Sequence, residues 1–349
     1  MLVVDDSAVV RRAISDVLKQ DPEIEVVGTA CDPYVARDRI LELKPDVLTL
    51  DVEMPRMDGL TFLRILQKHH PIPVIVISST TQTGSRAALE ALAAGAVDVM
   101  AKPGSAWSLG GLREDLPRHI KGAASARLGR LRDSSASESP APSLTVEAPL
   151  DPRQLVLIGA STGGTEAIKS VLTRLPAGLP GMCIVQHIPA GFSKAFADRL
   201  NGCCAFEVRE AAQDDIVQPG LAFVAPGDYH MTLRWQQGHY RISLDQSPPV
   251  HHTRPSVDQL FKSAIHAGRR AVSVLLTGMG SDGAQGMQEL KKLGAHTIAQ
   301  DEETCVVYGM PRAAAQLGVV DEILPLNLIP NAIVRAVSGG APSPTPANR

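Results

Sequence analysis

The sequence predicts an α/β protein built as two doubly wound parallel-sheet domains. Apolar, strand-like runs alternate with helix-period segments five times in the first 120 or so residues. Several of those helices open on a recognisable cap, and the same style resumes after a single sharp change of composition. In the first block the runs at Val3-Val4, Glu25–Ala30, Val47–Leu50, Val74–Ser78 and Val97–Met100 read as strands. Helices are expected between and after them at Ala8–Lys19, Tyr34–Leu43, Leu60–His69, Arg86–Ala94 and Leu109–Ile120. Ser7 is the expected N-cap of the first helix, and Asp32-Pro33 gives a cap followed by proline in the first turn. Gly95 stands where a C-terminal glycine belongs. Five βα units of this kind make a five-stranded parallel sheet covered on both faces.

The composition changes at 122–152, where Ala, Ser, Arg and Pro dominate and Ser134 to Pro142 reads SSASESPAP. Such a stretch has too few large apolar residues to build a core, so it is expected to be a flexible linker. The expected organisation is therefore a first domain at 1–121, the linker at 122–152, a second domain at 153–337 and a disordered tail at 338–349. In the second block, strands are expected at Leu155–Ile158, Met182–Gln186, Val272–Leu276 and Thr297–Ala299. Helices are expected at Glu166–Arg174, Ser193–Leu200, Val257–Ala267, Ala284–Leu293 and Pro311–Leu317. Between Phe206 and Leu244, short alternating runs and the turns Pro219-Gly220 and Pro226-Gly227 suggest an antiparallel hairpin region attached to the parallel sheet.

Composition narrows the function. The 349 residues suit two domains. A net charge of −3 argues against a dominant nucleic-acid surface. The chain has no apolar run long enough to span a membrane, and its first residues do not read as a signal peptide. Five cysteines (Cys31, Cys183, Cys203, Cys204 and Cys305) form no C-x-x-C pair, which disfavours a disulfide scaffold or structural zinc and makes a reducing cytoplasm the expectation.

Two sets of residues carry chemistry. In an open α/β sheet, ligands bind beyond the carboxyl ends of the strands. Asp5 and Asp6 end the first strand, Asp51 the third and Ser78 the fourth, while Lys102 follows the fifth. Crowded carboxylates of this kind suit Mg²⁺ and phosphoryl transfer to a carboxylate. Any one of these aspartates alone is more often a cap, but all five residues in register on a βα repeat argue for a site. In the second block, Gly159-x-Ser161-x-Gly163 lies between a strand and a helix. It reads either as a phosphate cradle or as a nucleophile elbow. It lacks the spacings of a dinucleotide fingerprint or a Walker loop. His187 ends a second strand, and Asp282 lies in the Gly-rich loop after a third. A serine, a histidine and an aspartate at three strand ends of one sheet can meet as a triad, with backbone N–H groups of the 277–280 loop facing the oxyanion. The order Ser, His, Asp is not that of an ordinary α/β-hydrolase.

At these residues two resemblances emerge. Val3-Val4-Asp5-Asp6-Ser7, Asp51-x-x-Met54-Pro55-x-Met57-Asp58-Gly59 and Lys102-Pro103 resemble the receiver domain of two-component response regulators. That resemblance implies that Asp51 is the phosphoacceptor, that Asp5, Asp6 and Asp51 hold Mg²⁺, and that Ser78 and Lys102 sense the phosphoryl group. Many receivers carry an aromatic residue three places before the lysine. Here it is Val99, so a ring switch is excluded at that position. Gly159-Ala160-Ser161-Thr162-Gly163-Gly164, Gln186-His187-x-Pro189-x-Gly191-Phe192 and Ala225-Pro226-Gly227-Asp228-x-His230-Met231 form the second set of motifs. With Arg254-Pro255-Ser256-Val257-Asp258 and Leu276-Thr277-Gly278-Met279-Gly280-x-Asp282-Gly283, they resemble the chemotaxis protein-glutamate methylesterase/glutaminase, or CheB, family.

This second resemblance implies a Rossmann-like catalytic domain in which Ser161, His187 and Asp282 are catalytic, Met279 supplies an oxyanion N–H and Thr162 lies beside the nucleophile. It further implies a cytoplasmic, phosphorylation-activated hydrolase of glutamate methyl esters on chemoreceptor helices, which also deamidates glutamines. Its partners would be a histidine kinase and methylated chemoreceptors, with no nucleic acid and no membrane insertion, and its ester chemistry would need no cofactor. The family often has histidine immediately before Arg-Pro-Ser. Here Thr253 stands there and His252 one place earlier, so that region is assigned no catalytic role. The competing readings are a receiver-controlled binding module, a DNA-binding regulator, or a methylesterase of a non-flagellar chemosensory pathway.

Overall fold

The computed structural model describes residues 1–79, 81–102, 109–127 and 151–339. The chain divides into two compact units, Met1–Leu128 and Gly129–Arg349.

The first unit alternates β1 (Leu2–Val4), α1 (Ala8–Leu18), β2 (Gly28–Ala30), α2 (Pro33–Leu43), β3 (Leu48–Asp51), α3 (Gly59–His69), β4 (Val74–Ser78), α4 (Gln82–Ala93), β5 (Asp98–Ala101) and α5 (Leu109–Ala124). Its sheet has the order β2-β1-β3-β4-β5, and every pairing is parallel. Parallel strands covered on both faces need apolar side chains in both directions, and β1 and β4 are buried along their whole length. The expected caps are in place. Ser7 accepts the Val10 N–H, and Asp32 accepts the N–H groups of Tyr34 and Val35 with Pro33 opening α2. Gly95 closes α4 at φ 105°, a conformation that favours glycine.

Most boundaries shift by a residue, β2 opens at Gly28 rather than Glu25, and two helix ends move by a turn. Helix α4 starts at Gln82, a turn earlier than Arg86, because its first turn is polar and gives no apolar period. Helix α5 runs to Ala124, past residue 121, with Gly122 and Ala123 buried. Small residues read as linker composition, yet they are also what fits where a helix end is packed closely. Most of the expected linker (128–150), Pro103 and nearly all of the expected tail (340–349) lie outside the described residues.

The second unit is built on a seven-stranded parallel sheet in the order β15-β14-β13-β6-β7-β10-β8. Its strands are β6 (Leu155–Ala160), β7 (Gly181–Gln186), β8 (Glu207–Glu210), β10 (Leu221–Val224), β13 (Ala271–Leu275), β14 (His296–Gln300) and β15 (Glu322–Leu324). A separate three-stranded antiparallel sheet, β11-β12-β9, combines β9 (Ile216–Val217), β11 (His230–Gln236) and β12 (His239–Asp245). The helices are α6 (Gly164–Leu172), α7 (Ser193–Asn201), α8 (Val257–Ser263), α9 (Ala284–Lys292), α10 (Met310–Gln316) and α11 (Ile329–Val337).

The hairpin expectation for Phe206–Leu244 is thus half corrected. β11 and β12 form the antiparallel pair, but β8 and β10 join the main sheet in parallel. The four consecutive buried residues of β10 are the mark of an interior parallel strand, whereas the Pro-Gly pairs flanking it imitate hairpin turns. Strand β15 and helix α11 were not expected. β15 opens on Glu322, a buried carboxylate satisfied by His296 at 2.8 Å and Arg335 at 2.7 Å, so it shows no purely apolar run.

From β6 the chain proceeds to β7 on one side, while β13 flanks β6 on the other. This is a topological switch point, where an open α/β sheet leaves a crevice at the carboxyl ends of its strands. No described helix is long and apolar enough to cross a membrane.

Candidate active site

Ser161 leaves β6 directly into that crevice, and His187 leaves β7 beside it. Ala160 and Gln186 are register partners, and the His187 N–H donates to the Ala160 carbonyl at 3.1 Å. The sheet therefore makes the two residues neighbours. Ser161 is nearly buried, with its N–H held by the Thr277 carbonyl at 3.0 Å and its carbonyl accepting the Gly164 N–H at 2.7 Å. Its hydroxyl makes no hydrogen bond with any described residue. Such contacts are commonly long before substrate binds.

His187 and Asp282 are brought into direct contact, with Nε2 2.9 Å from Oδ2. Asp282 is buried to 2% side-chain exposure. Burial alone raises a carboxyl pKa. Here hydrogen bonding and charge from His187, together with the N–H groups of Asp258 and Val257, outweigh it and pull Asp282 down to about 2. An ionised carboxylate only accepts, so Nε2 carries a hydrogen, and in the neutral ring Nδ1 is then the nitrogen with the free lone pair. Nδ1 is buried and without a hydrogen-bond partner among the described residues.

The loop after β13 closes the other side of the crevice. A Cβ on Gly278 would stand 2.7 Å from the Ser161 Cβ, so that only a residue without a side chain lets this loop lie against Ser161. Gly278 is itself fixed. Its N–H reaches the Val307 carbonyl at 3.1 Å, and its carbonyl accepts from Gly309 at 3.1 Å and Met310 at 2.8 Å. The next N–H, that of half-buried Met279, donates to no described group. Thr162 is buried beside Ser161, and its carbonyl lies 3.0 Å from the Thr277 hydroxyl.

The supporting roles of three residues were not read from the sequence, and the Thr277 N–H, expected among the oxyanion donors, is engaged elsewhere. The buried Gln186 donates Nε2–H to the Ser161 carbonyl at 2.9 Å and to the His187 carbonyl at 3.0 Å, tying the backbones of the two residues together. Thr277 pins the serine turn to the end of β13, and its own N–H donates to Gln300 Oε1 at 2.8 Å. Ser256 donates its hydroxyl to Asp282 at 2.8 Å. Gln186 and Ser256 both sit within the quoted motifs, which is the signal that marked them; their partners are set by tertiary packing.

The acidic cluster of the first unit assembles as expected at the strand ends. Asp5 and Asp51 are buried and Asp6 is exposed, and one ligand oxygen from each lies within 4.8 Å of the others. Lys102 Nζ lies 2.5 Å from Asp51 Oδ2 and 3.5 Å from Asp5 Oδ2. Burial is the largest influence on Asp51 and lifts it to about 6 against the pull of Lys102 and the Glu53 N–H. Burial raises Asp5 as well. Ser78 is fully buried at the end of β4, and its carbonyl accepts the Lys102 N–H at 2.7 Å. Gly59 lets the following loop fold back, since a Cβ there would meet the Asp51 carbonyl at 2.0 Å. The donor set is all oxygen, and Asp5 Oδ2 is a buried acceptor without a hydrogen bond. These residues fit a hard divalent cation such as Mg²⁺.

Comparison with known proteins agrees with both halves. Residues 156–333 match the family model described as CheB methylesterase, and residues 1–110 match the response regulator receiver domain. A protein-glutamate methylesterase/protein-glutamine glutaminase 2 of Syntrophus aciditrophicus is 51% identical over 339 residues, covering 97% of this chain and 98% of that protein. One from Anaeromyxobacter dehalogenans is 50% identical, covering 96% of this chain and 94% of its own. Among solved structures, the Thermotoga maritima CheB methylesterase catalytic domain matches at a TM-score of 0.51 and 38% identity, covering 52% of this chain and 97% of that one.

Proposed function

The chain belongs to the CheB methylesterase family, with a response-regulator receiver domain preceding the catalytic one, and from that premise we propose how its residues perform the reaction. The protein is a protein-glutamate methylesterase/protein-glutamine glutaminase of chemotaxis adaptation, regulated through its receiver. In our reading the substrate is a γ-glutamyl methyl ester on a chemoreceptor helix. Ser161 Oγ attacks the ester carbonyl carbon while His187 Nδ1 takes the hydroxyl proton. The carbonyl oxygen becomes an oxyanion that accepts the Met279 N–H, with Thr162 adjoining. Asp282 holds the imidazole and stabilises its charged form. As the tetrahedral intermediate collapses, the C–OCH₃ bond breaks and His187 returns the proton to the leaving methoxide, giving methanol. Water, deprotonated by His187, then cleaves the acyl-enzyme to free glutamate and Ser161. With glutamine the leaving group is ammonia.

Control belongs to the first unit, organised as a receiver at 1–121 joined through 122–152 to the catalytic domain at 153–337, with a tail at 338–349. Asp51 accepts the phosphoryl group from a histidine kinase, and Ser78 and Lys102 bind its oxygens. Asp5, Asp6 and Asp51 would hold Mg²⁺, which when bound offsets negative charge as the phosphoryl group arrives. We place the protein in the cytoplasm, where its substrate helices and phosphodonor meet.

The observation that carries this reading is the buried His187–Asp282 pair at 2.9 Å, one strand away from Ser161. It is tested by methanol release from methylated receptor membranes, with and without Mg²⁺ and a small-molecule phosphodonor. Release should vanish in Ser161→Ala, and Asp51→Asn should lose the phosphodonor-dependent increment. A Ser161→Ala protein that still releases methanol at the wild-type rate would sink the assignment and favour a binding module.

A further inference from the structure

Asp282 has two carboxylate oxygens and four close donors, of which His187 is only one. Oδ1 accepts the Ser256 hydroxyl at 2.8 Å and the Asp258 N–H at 2.9 Å. Oδ2 accepts the Val257 N–H at 2.7 Å beside His187. Thr253 Oγ1 also reaches Oδ2, at the longer distance of 3.5 Å, and lies closer to the Val250 carbonyl at 2.9 Å. Among the described residues Ser256 is the hydroxyl closest to this carboxylate, and it is fully buried. The same oxygen accepts the Gln259 N–H as the N-cap of α8. Ser256 is in turn held from behind. Its N–H donates to Nδ1 of the buried His230 at 3.2 Å, and His230 Nε2 faces the Pro248 carbonyl at 3.2 Å. A chain of contacts therefore runs from β11 through Ser256 to Asp282 and on to His187.

We propose that Ser256 is a positioning residue for the ester hydrolysis: its hydroxyl fixes the rotation of the Asp282 carboxylate and so the orientation of the His187 ring. The proposal rests on Ser161, His187 and Asp282 being the catalytic residues. Without the Ser256 hydroxyl, Oδ1 keeps the Asp258 N–H alone while Oδ2 keeps the Val257 N–H and His187, and the carboxylate is freer to rock about its Cβ–Cγ bond and tilt the imidazole. The hydroxyl at Oδ1 stops that rotation. The nearby charged groups are otherwise engaged. Asp258 accepts the Gly286 N–H at 2.7 Å, pairs with His251 at 3.0 Å and faces Lys262 at 3.7 Å. The group facing Asp282 from β7 is His187, and those from the 251–262 segment are His251, Asp258 and Lys262, tied to one another.

Capping and positioning are separable by substitution. At an N-cap, glycine costs far less helix stability than alanine, while both lack the hydroxyl. Ser256→Gly, Ser256→Ala and Ser256→Thr are made in the full chain and assayed for methanol release across pH, with melting temperature measured alongside. The expected result is a kcat lowered about tenfold in both Gly and Ala variants with KM within about twofold, since Asp282 acts only as the imidazolium forms. The acid limb of kcat/KM should move to higher pH in both, because Asp282 loses a donor and its charge is less compensated. Ser256→Thr should restore kcat and the limb. Melting temperature should fall more in Ala than in Gly. If kcat instead follows melting temperature, with Ser256→Gly near wild type and its acid limb unmoved, Ser256 is only a cap and the proposal is overturned. Ser161→Ala, run in parallel, must be inactive. Full activity in it would remove the triad assignment and this proposal together, whereas an inactive Ser161→Ala beside a wild-type Ser256→Gly removes this proposal alone.

Discussion

His187 presents Nε2 to Asp282 at 2.9 Å and keeps Nδ1 buried and without a partner among the described residues. On the proposed mechanism Nδ1 is the nitrogen that takes the proton, and Asp282 fixes that tautomer. Asp282→Asn replaces one acceptor oxygen by an amide, which must point two hydrogens at groups that themselves donate. If the amide faces His187, the ring flips to its other tautomer and Nδ1 becomes protonated. If it faces Ser256 and Asp258, those donors lose their acceptor. We expect kcat to fall by roughly 10⁴, as when a triad carboxylate becomes an amide, with little change in KM. Methanol-release kinetics check this, and a loss below tenfold would mean that the tautomer is set by something other than Asp282.

Gly278→Ala should injure catalysis while sparing the fold. Its new methyl group would stand 2.7 Å from the Ser161 Cβ and 3.0 Å from the Ser161 N, and 2.4 Å from the Met310 sulfur. The methionine can move, but the serine backbone is pinned by Thr277 and Gly164. Displacing a nucleophile by about 1 Å costs on the order of 10² in rate. Labelling of Ser161 by an organophosphate should slow in parallel with methanol release, and undiminished labelling would show that the loop, not the serine, gives way.

The parallel framework was legible because its physics is local. Caps such as Ser7 and Asp32, the glycine at 95 and unbroken apolar runs such as Val74–Ile77 each state their own conformation. Candidate residues at the strand ends followed, since the fold rule says where such ends converge. What was hidden depends on partners remote in sequence. β10 reads like a hairpin arm until its neighbours β7 and β8 are known, and β15 looks polar until His296 and Arg335 reach Glu322. Likewise, Gln186 and Ser256 lie within recognisable motifs, yet nothing in those motifs says that one clamps two carbonyls and the other holds a carboxylate.

Lys102 and a divalent cation should compete for the same carboxylates. The ammonium lies 2.5 Å from Asp51 and 3.5 Å from Asp5, and its side chain is 21% exposed. Lys102→Met leaves those acids facing each other. Breaking a buried pair costs roughly 3–5 kcal/mol, and the loss should fall at or below the lower end because Asp51 can take up a proton. Added Mg²⁺ should then raise the melting temperature of the variant more than that of the wild type. Equal Mg²⁺ dependence in the two proteins would show that the ammonium and the cation do not share the site.

The depressed Asp282 carboxyl predicts acid sensitivity with a definite sign. Its folded value is about 2 against an ordinary 3.8, so the ionised form is favoured by folding. The stabilisation is fully present above the unfolded value and is lost as pH falls from about 4 towards 2, amounting to about 2 kcal/mol. Other carboxylates also contribute to acid sensitivity, among them the half-buried Asp321, which burial pulls upward but its Lys291 and Thr297 contacts hold below its ordinary value. The test is therefore a difference between two proteins. Asp282→Asn is less stable than wild type at neutral pH because it orphans donors, a loss of about 1–3 kcal/mol. Since the amide does not titrate, the gap between the two denaturation free energies should close as the pH drops through that window. Urea unfolding of both proteins at several pH values measures the gap, and curves that stay parallel down to pH 2 would mean that the Asp282 carboxylate contributes nothing to the acid limb of stability.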